Sequence, residues 1–397
     1  MLTLDRIYRA AFVLKDVARR TDLLHTELLS DQANIYLKTE NLQVTGSFKV
    51  RGAYYKISQL TPEQRAAGIV ACSAGNHAQG VALAATKMGI ASTVCMPDGA
   101  PISKVEATKR LGAQVCLVKG AYDDASRRAM ELVEETGATL IHPFDDPDVI
   151  AGQGTIGLEI LEQLPTVDAV IVPVGGGGLI SGVAYAIKSL RPDVKVYGVQ
   201  AENAPSMVNS LRSGEQITLN TVATFADGIA VKHPGDLTYQ LVREYVDDIV
   251  TVSEDEIAAA ILALMEKQKL VSEGAGAVSV AAAMFGKLPI AGKNVVCLVS
   301  GGNIDVNILS RVITRGLVTS GRTATLIIAL EDKPGQLLGV SEIISRCGGN
   351  VVSVHHERSD ANMPVASCFL KIGMETKDFA HIKQIRDALT QAGFRIV

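Results

Sequence analysis

Residues 168–182 read DAVIVPVGGGGLISG, an apolar run that breaks directly into four glycines. A short, continuous apolar run suits a strand covered on both faces. Gly175, Gly176, Gly177 and Gly178 let a backbone wrap around a phosphate without interference from a Cβ. A dinucleotide fingerprint is the rival reading. Glu202 follows near the end of the next apolar run, where a ribose contact could sit, but no register of GGGGLISG fits GxGxxG, and the glycines lie far from the first strand–helix turn.

The same grammar extends outward in both directions. GIVACS (68–73), ASTVCM (91–96), AQVCLV (113–118), KVYGVQ (195–200) and KNVVCLVS (293–300) read as strands. Between them lie amphipathic, Ala-rich segments such as HAQGVALAATKMG and AYDDASRRAMELVEETG, most closed by Gly. Strands alternating with helices predict an α/β chain with a parallel sheet covered on both faces. Open sheets of this kind bind ligands beyond the carboxyl ends of their strands, so the turns after each strand are the places to look.

Past residue 315 the pattern changes. GLVTSGRTA (316–324) is small and polar and reads as a linker. TLIIAL, GQLLGVSEIISRCG, NVVSVHHER, VASCFLKIG, KDFAHIKQIRDALTQAG and FRIV then give βαββαβ, a ferredoxin-like unit over 325–397. Residues 1–315 carry the alternating pattern.

Bulk properties exclude several classes. Thirty-eight basic against 42 acidic residues give a net charge of −4, which provides no field for nucleic acid or an anionic membrane. Aromatic residues make up 4% with no Trp, so base-stacking platforms are not expected. The first residues lack a signal-peptide pattern and no long uncharged apolar run occurs, so a cytoplasmic protein is expected. The six cysteines form no CxxC pair. His355 and His356 have no acidic or thiol partner at helical spacing, and no metal site is expected.

Four short motifs sit where strands end. In GSFK (46–49), Ser47 reads as a helix N-cap, which puts Lys49 in the first turn; the positive helix end should lower its pKa and favour Schiff-base chemistry. SAGNH (73–77) opens a helix with amides suited to an anion such as a carboxylate. The glycine run with Leu179 is the third. SGGN (300–303) offers the neutral hydroxyl of Ser300.

GSFK, SAGNH, GGGGL and SGGN in this order resemble the fold-type-II pyridoxal-phosphate enzymes. SKVEATKRLGAQV, ADGIAV and SEGAGA are similar to the threonine dehydratase and serine racemase branch. The resemblance covers residues 1–320 and implies a two-lobed catalytic domain with a smaller lobe at roughly 45–150. It implies that Lys49 holds the aldehyde of pyridoxal 5'-phosphate, that Phe48 flanks the ring, and that Asn76 bonds the ring hydroxyl. Gly175, Gly176, Gly177, Gly178 and Leu179 would hold the phosphate, and Ser300 would face the pyridine nitrogen. Ser73, Ala74, Gly75 and Asn76 would line the substrate carboxylate. Glu273, and Gly228 of ADGIAV, would lie nearby. The C-terminal unit is similar to ACT regulatory domains, which implies an amino-acid effector, with Gly335 and the Asn350 turn as candidate contacts, and a homodimer or homotetramer.

The chemistry implied is dehydration and deamination of L-threonine to 2-oxobutanoate, with L-serine giving pyruvate. A hydroxyl facing the ring nitrogen keeps the electron sink weak, which suits elimination. Relatives that racemise serine resemble SSGNH; here the second hydroxyl is replaced by Ala74, so racemisation should be weak. Glu202 matches one ligand of a racemase-like metal site, but NAPSMVNS supplies no second carboxylate. The competing readings are a serine- or hydroxyaspartate-specific dehydratase, a serine racemase, a nicotinamide dehydrogenase, and an amino-acid-binding regulator on this fold.

Overall fold

The structure is a computed structural model, and it describes all residues except Leu28 and 359–366. The chain divides into two compact units, Met1–Asp305 and Val306–Val397.

The first unit holds two sheets. The larger runs Leu23–Thr26, Asn34–Lys38, Asn294–Leu298, Ala169–Pro173, Lys195–Ala201 and Asp248–Val252 in spatial order. Its first pair is antiparallel and every other pair parallel. The smaller sheet is parallel throughout, in the order Gln114–Val118, Ser92–Pro97, Ile69–Cys72, Thr139–Leu140. All five residues of Ala169–Pro173 and all four of Ile69–Cys72 are buried, as expected of parallel strands covered on both faces.

The helix Pro147–Gln163 packs between the helices Lys49–Ser58 and Gly178–Leu190. Its start is fixed by Asp146, whose carboxylate accepts from the amides of Asp148 and Val149. Residues 152–157 of this helix read GQGTIG, a GxGxxG string placed mid-helix rather than after a strand. These glycines serve packing. A Cβ at Gly152 would lie 2.5 Å from the Arg51 carbonyl oxygen, and one at Gly154 2.9 Å from the Gly182 carbonyl oxygen.

Arg51 is itself buried and ties this region together. Its guanidinium donates to Glu40 (2.7 and 2.9 Å), Glu159 (2.6 Å), Thr155 and the Arg19 carbonyl. Lys38 joins the same cluster through Glu159 at 2.6 Å.

The second unit begins with the helix Val306–Thr319, so residues 316–319, read from composition as linker, close a helix instead. Its apolar positions recur at helical period, a signal that the small polar residues following it obscured. The unit boundary falls at Asp305 rather than near 315. Thereafter the elements run βαββαβ: Thr323–Glu331, Gln336–Arg346, Asn350–Glu357, Ser367–Glu375, Phe379–Gln391, Arg395–Ile396. The sheet is antiparallel, ordered Asn350–Glu357, Ser367–Glu375, Thr323–Glu331, Arg395–Ile396. Leu326, Ile328 and Leu330 alternate into its core against Val340, Ile344, Ile385 and Leu389 of the two helices.

Candidate active site

Turns after three strands of the first unit carry the residues singled out above. Ser73 follows Ile69–Cys72, Gly175 follows Ala169–Pro173, and Ser300 follows Asn294–Leu298.

Lys49 is the first residue of its helix, but the helix is not started by Ser47. The N-cap position is Phe48, without a side-chain cap, and the Ser47 hydroxyl is buried with no hydrogen-bond partner among the described residues. A backbone bridge to Gly301 holds Ser47, one residue short of the cap. The Phe48 amide donates to the Ser300 carbonyl at 3.1 Å, and the Gly302 amide to the Gly46 carbonyl at 2.8 Å. The GSFK and SGGN turns therefore fix each other through their backbones. Gly46 turns with φ +71°, a left-handed conformation that glycine adopts freely.

The Lys49 amine donates to the Pro143 carbonyl at 2.7 Å and lies 5.3 Å from the centroid of the Phe48 ring. Burial pulls the amine down to about 8, while Glu273 opposes the shift. The direction matches the expectation, and its largest cause is desolvation.

Asn76 opens the helix Asn76–Lys87 and is clamped on both sides. Its amide nitrogen donates to Glu273 Oε1 at 2.7 Å, and its oxygen accepts from Asn303 Nδ2 at 2.7 Å. Ser73 accepts from the Gly75 amide at 3.1 Å, closing the turn ahead of this helix, and Ala74 packs beside it without a polar atom to offer. Burial raises the Glu273 carboxyl to about 7, and Asp227 adds to the rise. A Cβ at Gly301 would lie 2.4 Å from Glu273 Oε1, and one at Gly228 would lie 2.9 Å from the Ala275 Cβ, so both positions need bare backbone. The Ser300 hydroxyl is buried and donates to the Ala275 carbonyl at 3.4 Å.

At the glycine turn, the amides of Gly175, Gly176 and Gly177 donate to no backbone carbonyl among the described residues. The first amides of the helix Gly178–Leu190 have no intrahelical acceptor. Consecutive donors at a helix N-terminus make an anion cradle. Leu179 contributes its amide, since its side chain is buried in the core. A Cβ at Gly176 would lie 2.5 Å from the Phe144 ring.

Sequence reading passed over several neighbours. Phe144 roofs the glycine turn, and Asp145 accepts from the amides of Asp236 and Thr238 at 3.0 Å. His77 is buried, with Nε2 2.8 Å from the Ile141 carbonyl; burial, then Lys49, lowers it to about 3, which keeps the ring neutral. Lys104, on the helix Ile102–Arg110, reaches Asp227 at 2.5 Å. His77, Lys104 and Asp227 lie inside quoted motifs, but Lys104 meets Asp227 only through long-range pairing, as Phe144 and Asp145 meet their partners.

The arrangement fits pyridoxal phosphate. A lysine of lowered proton affinity stands beside an aromatic ring, and the glycine turn is a bare-backbone cradle with unspent donors. No helix among the described residues is long and apolar enough to cross a membrane.

Comparison with known proteins agrees with this fit. The family model described as "Pyridoxal-phosphate dependent enzyme" matches residues 14–301. The chain is 53% identical to an L-threonine ammonia-lyase of Thermotoga maritima, covering 100% of this chain and 99% of that one. Among solved structures, the processed form of threonine deaminase isoform 2 from Solanum lycopersicum matches at 40% identity and TM-score 0.74, covering 78% of this chain and 88% of the other. Maize serine racemase matches at 36% identity and TM-score 0.75, covering 80% and 98%.

Proposed function

The chain belongs to the pyridoxal-phosphate dependent enzymes, and from that premise we propose that it is a threonine ammonia-lyase, converting L-threonine to 2-oxobutanoate and ammonia and L-serine to pyruvate and ammonia. The observation that carries this reading is Lys49: a lysine amine lowered to about 8, at a helix start, that donates to the Pro143 carbonyl beside Phe144, the residue lying over the glycine cradle. The full-length identity to a threonine ammonia-lyase supports the substrate.

When bound, pyridoxal phosphate withdraws electrons from the substrate Cα, which makes the α-proton removable. The amides at residues 175–179 would hold the phosphate, with Phe48 beside the ring. The Ser300 hydroxyl would meet the ring nitrogen without carrying charge. The turn at Ser73, Ala74, Gly75 and Asn76 holds the substrate carboxylate on backbone donors. The Lys49 Nζ, partly unprotonated near neutral pH, takes the proton from Cα. Asn76, held between Glu273 and Asn303, would hydrogen-bond the ring hydroxyl. The Cα proton and the Cβ hydroxyl would leave together as one water, and hydrolysis of the resulting enamine, by way of its imine, would consume one water and free ammonia.

Ala74 offers no proton to the face opposite Lys49, which favours lyase over racemase. The C-terminal βαββαβ unit acts as an ACT domain that binds an amino-acid effector, and the enzyme works as a cytoplasmic homodimer or homotetramer. Keto-acid formation over a panel of L-amino acids tests the assignment. Threonine and serine should give 2-oxobutanoate and pyruvate; cofactor-loaded protein that forms neither overturns it.

A further inference from the structure

On the C-terminal sheet, three adjacent strands bring three unlike donor atoms to one place. The strand period explains how. Leu326, Ile328 and Leu330 point to the core from Thr323–Glu331, and Asp332 follows in the same alternation just past the strand's end. Leu330 pairs with Cys368 on the central strand. His356, on the outer strand, pairs with Leu370, two residues along the same face from Cys368. The His356 Nε2 consequently lies 2.9 Å from the Cys368 Sγ. A carboxylate oxygen of Asp332, the His356 ring nitrogen and the Cys368 sulfur all lie within 4.8 Å of one another. Cys368 is 1% exposed, whereas His356 and Asp332 are exposed, so the thiol forms the floor of a site open to water.

The absence of partners noted above for His356 rested on helical spacing. His356 lies on a strand, where partners arrive by register from residues 12 and 24 positions away.

We propose that Asp332, His356 and Cys368 form a binding site for a divalent cation of the zinc class, with water completing a tetrahedron. A thiolate, an imidazole and a carboxylate together suit a borderline-soft cation and not magnesium or calcium, which take oxygen donors. Tetrahedral bonds at zinc distances place a ligand sulfur and a ligand nitrogen roughly 3.5 Å apart. The 2.9 Å separation opens to that value by a small rotation of the exposed His356 ring. On binding, the Cys368 thiol gives its proton to solvent as the sulfur–metal bond forms, and His356 binds through its neutral nitrogen. No oxidant is required. The two anionic donors balance the cation's charge. Arg358 pairs with Asp332 Oδ1 at 3.1 Å, which leaves Oδ2 for the metal and orients the carboxylate.

The test uses the full-length, cofactor-loaded protein, stripped of metal by a chelator and titrated with Co²⁺. One cobalt per chain should bind, with a thiolate-to-cobalt charge-transfer band and the intense visible bands of four-coordinate cobalt, and Zn²⁺ should displace it. Cys368→Ser should remove the charge-transfer band. His356→Ala, which alters an exposed side chain, should weaken binding by more than roughly tenfold. His355→Ala, on the opposite face of the strand, and Cys347→Ser should leave binding unchanged. No charge-transfer band in the wild type, or a band that survives both Cys368→Ser and His356→Ala, overturns the proposal and leaves a simple hydrogen bond.

Discussion

On the role proposed for Lys49, its proton affinity sets how readily the protein takes up its cofactor. Only the unprotonated amine attacks an aldehyde. At pH 7 an amine at about 8 is unprotonated in about 9% of molecules, against roughly 0.03% at the ordinary 10.5, a gain of about 300-fold in reactive amine. Burial supplies this gain, and Glu273 works against it by favouring the charged ammonium. Glu273→Gln removes that opposing charge while keeping an oxygen to accept from Asn76. The amine should then titrate below 8, and capture at pH 7 should quicken. The assay is stopped-flow recording of the visible band as apoenzyme takes up pyridoxal phosphate, from pH 6 to 10, with a blocked lysine as reference. Titrations of the aldehyde itself are common to all three samples and cancel. The wild-type midpoint should lie well below the reference, and the variant's below the wild type's. A wild-type midpoint matching free lysine, or a variant midpoint moved upward, refutes the assignment of burial and Glu273 as the opposing causes.

Other outcomes follow from the same geometry. Gly176→Ala places a methyl 2.5 Å from the Phe144 ring; chemical unfolding should show a loss of about 1–3 kcal/mol, partly recovered when Phe144→Leu is added. Ala74→Ser should raise interconversion of L- and D-serine relative to pyruvate formation, read by chiral chromatography; a wild type that racemises as fast as it eliminates contradicts the role given to Ala74. Arg51→Met strands the buried Glu40 carboxylate beside Glu159, which should cost about 3–5 kcal/mol in urea unfolding, with Glu40→Gln restoring part of it. Isoleucine or valine should shift the threonine response by a coupling of roughly 1–3 kcal/mol, and truncation after Asp305 should abolish that shift while keto-acid formation persists. A full-length enzyme indifferent to every amino acid removes the regulatory reading.

Much of this protein is written in local patterns. The alternation of apolar runs with helical segments defines the parallel sheets, because burial on both faces leaves a continuous apolar signature. The bare-backbone turn at 175–178 is legible because a turn after a strand depends on its own few residues. The βαββαβ order beyond residue 323 is local in the same sense. What sequence spacing could not supply is pairing across the fold. Asn76 meets Glu273 across 197 positions, and Phe144 lies on Gly176. Ser47 resembles a cap by type but is captured by Gly301, and the burial that lowers the Lys49 amine is set by the packing around it. His356 finds Cys368 only through strand register. Periodicity fixes which face of an element turns inward. Which residues then meet there depends on the order and offset in which strands and helices assemble, and that is set by the packing of the whole chain.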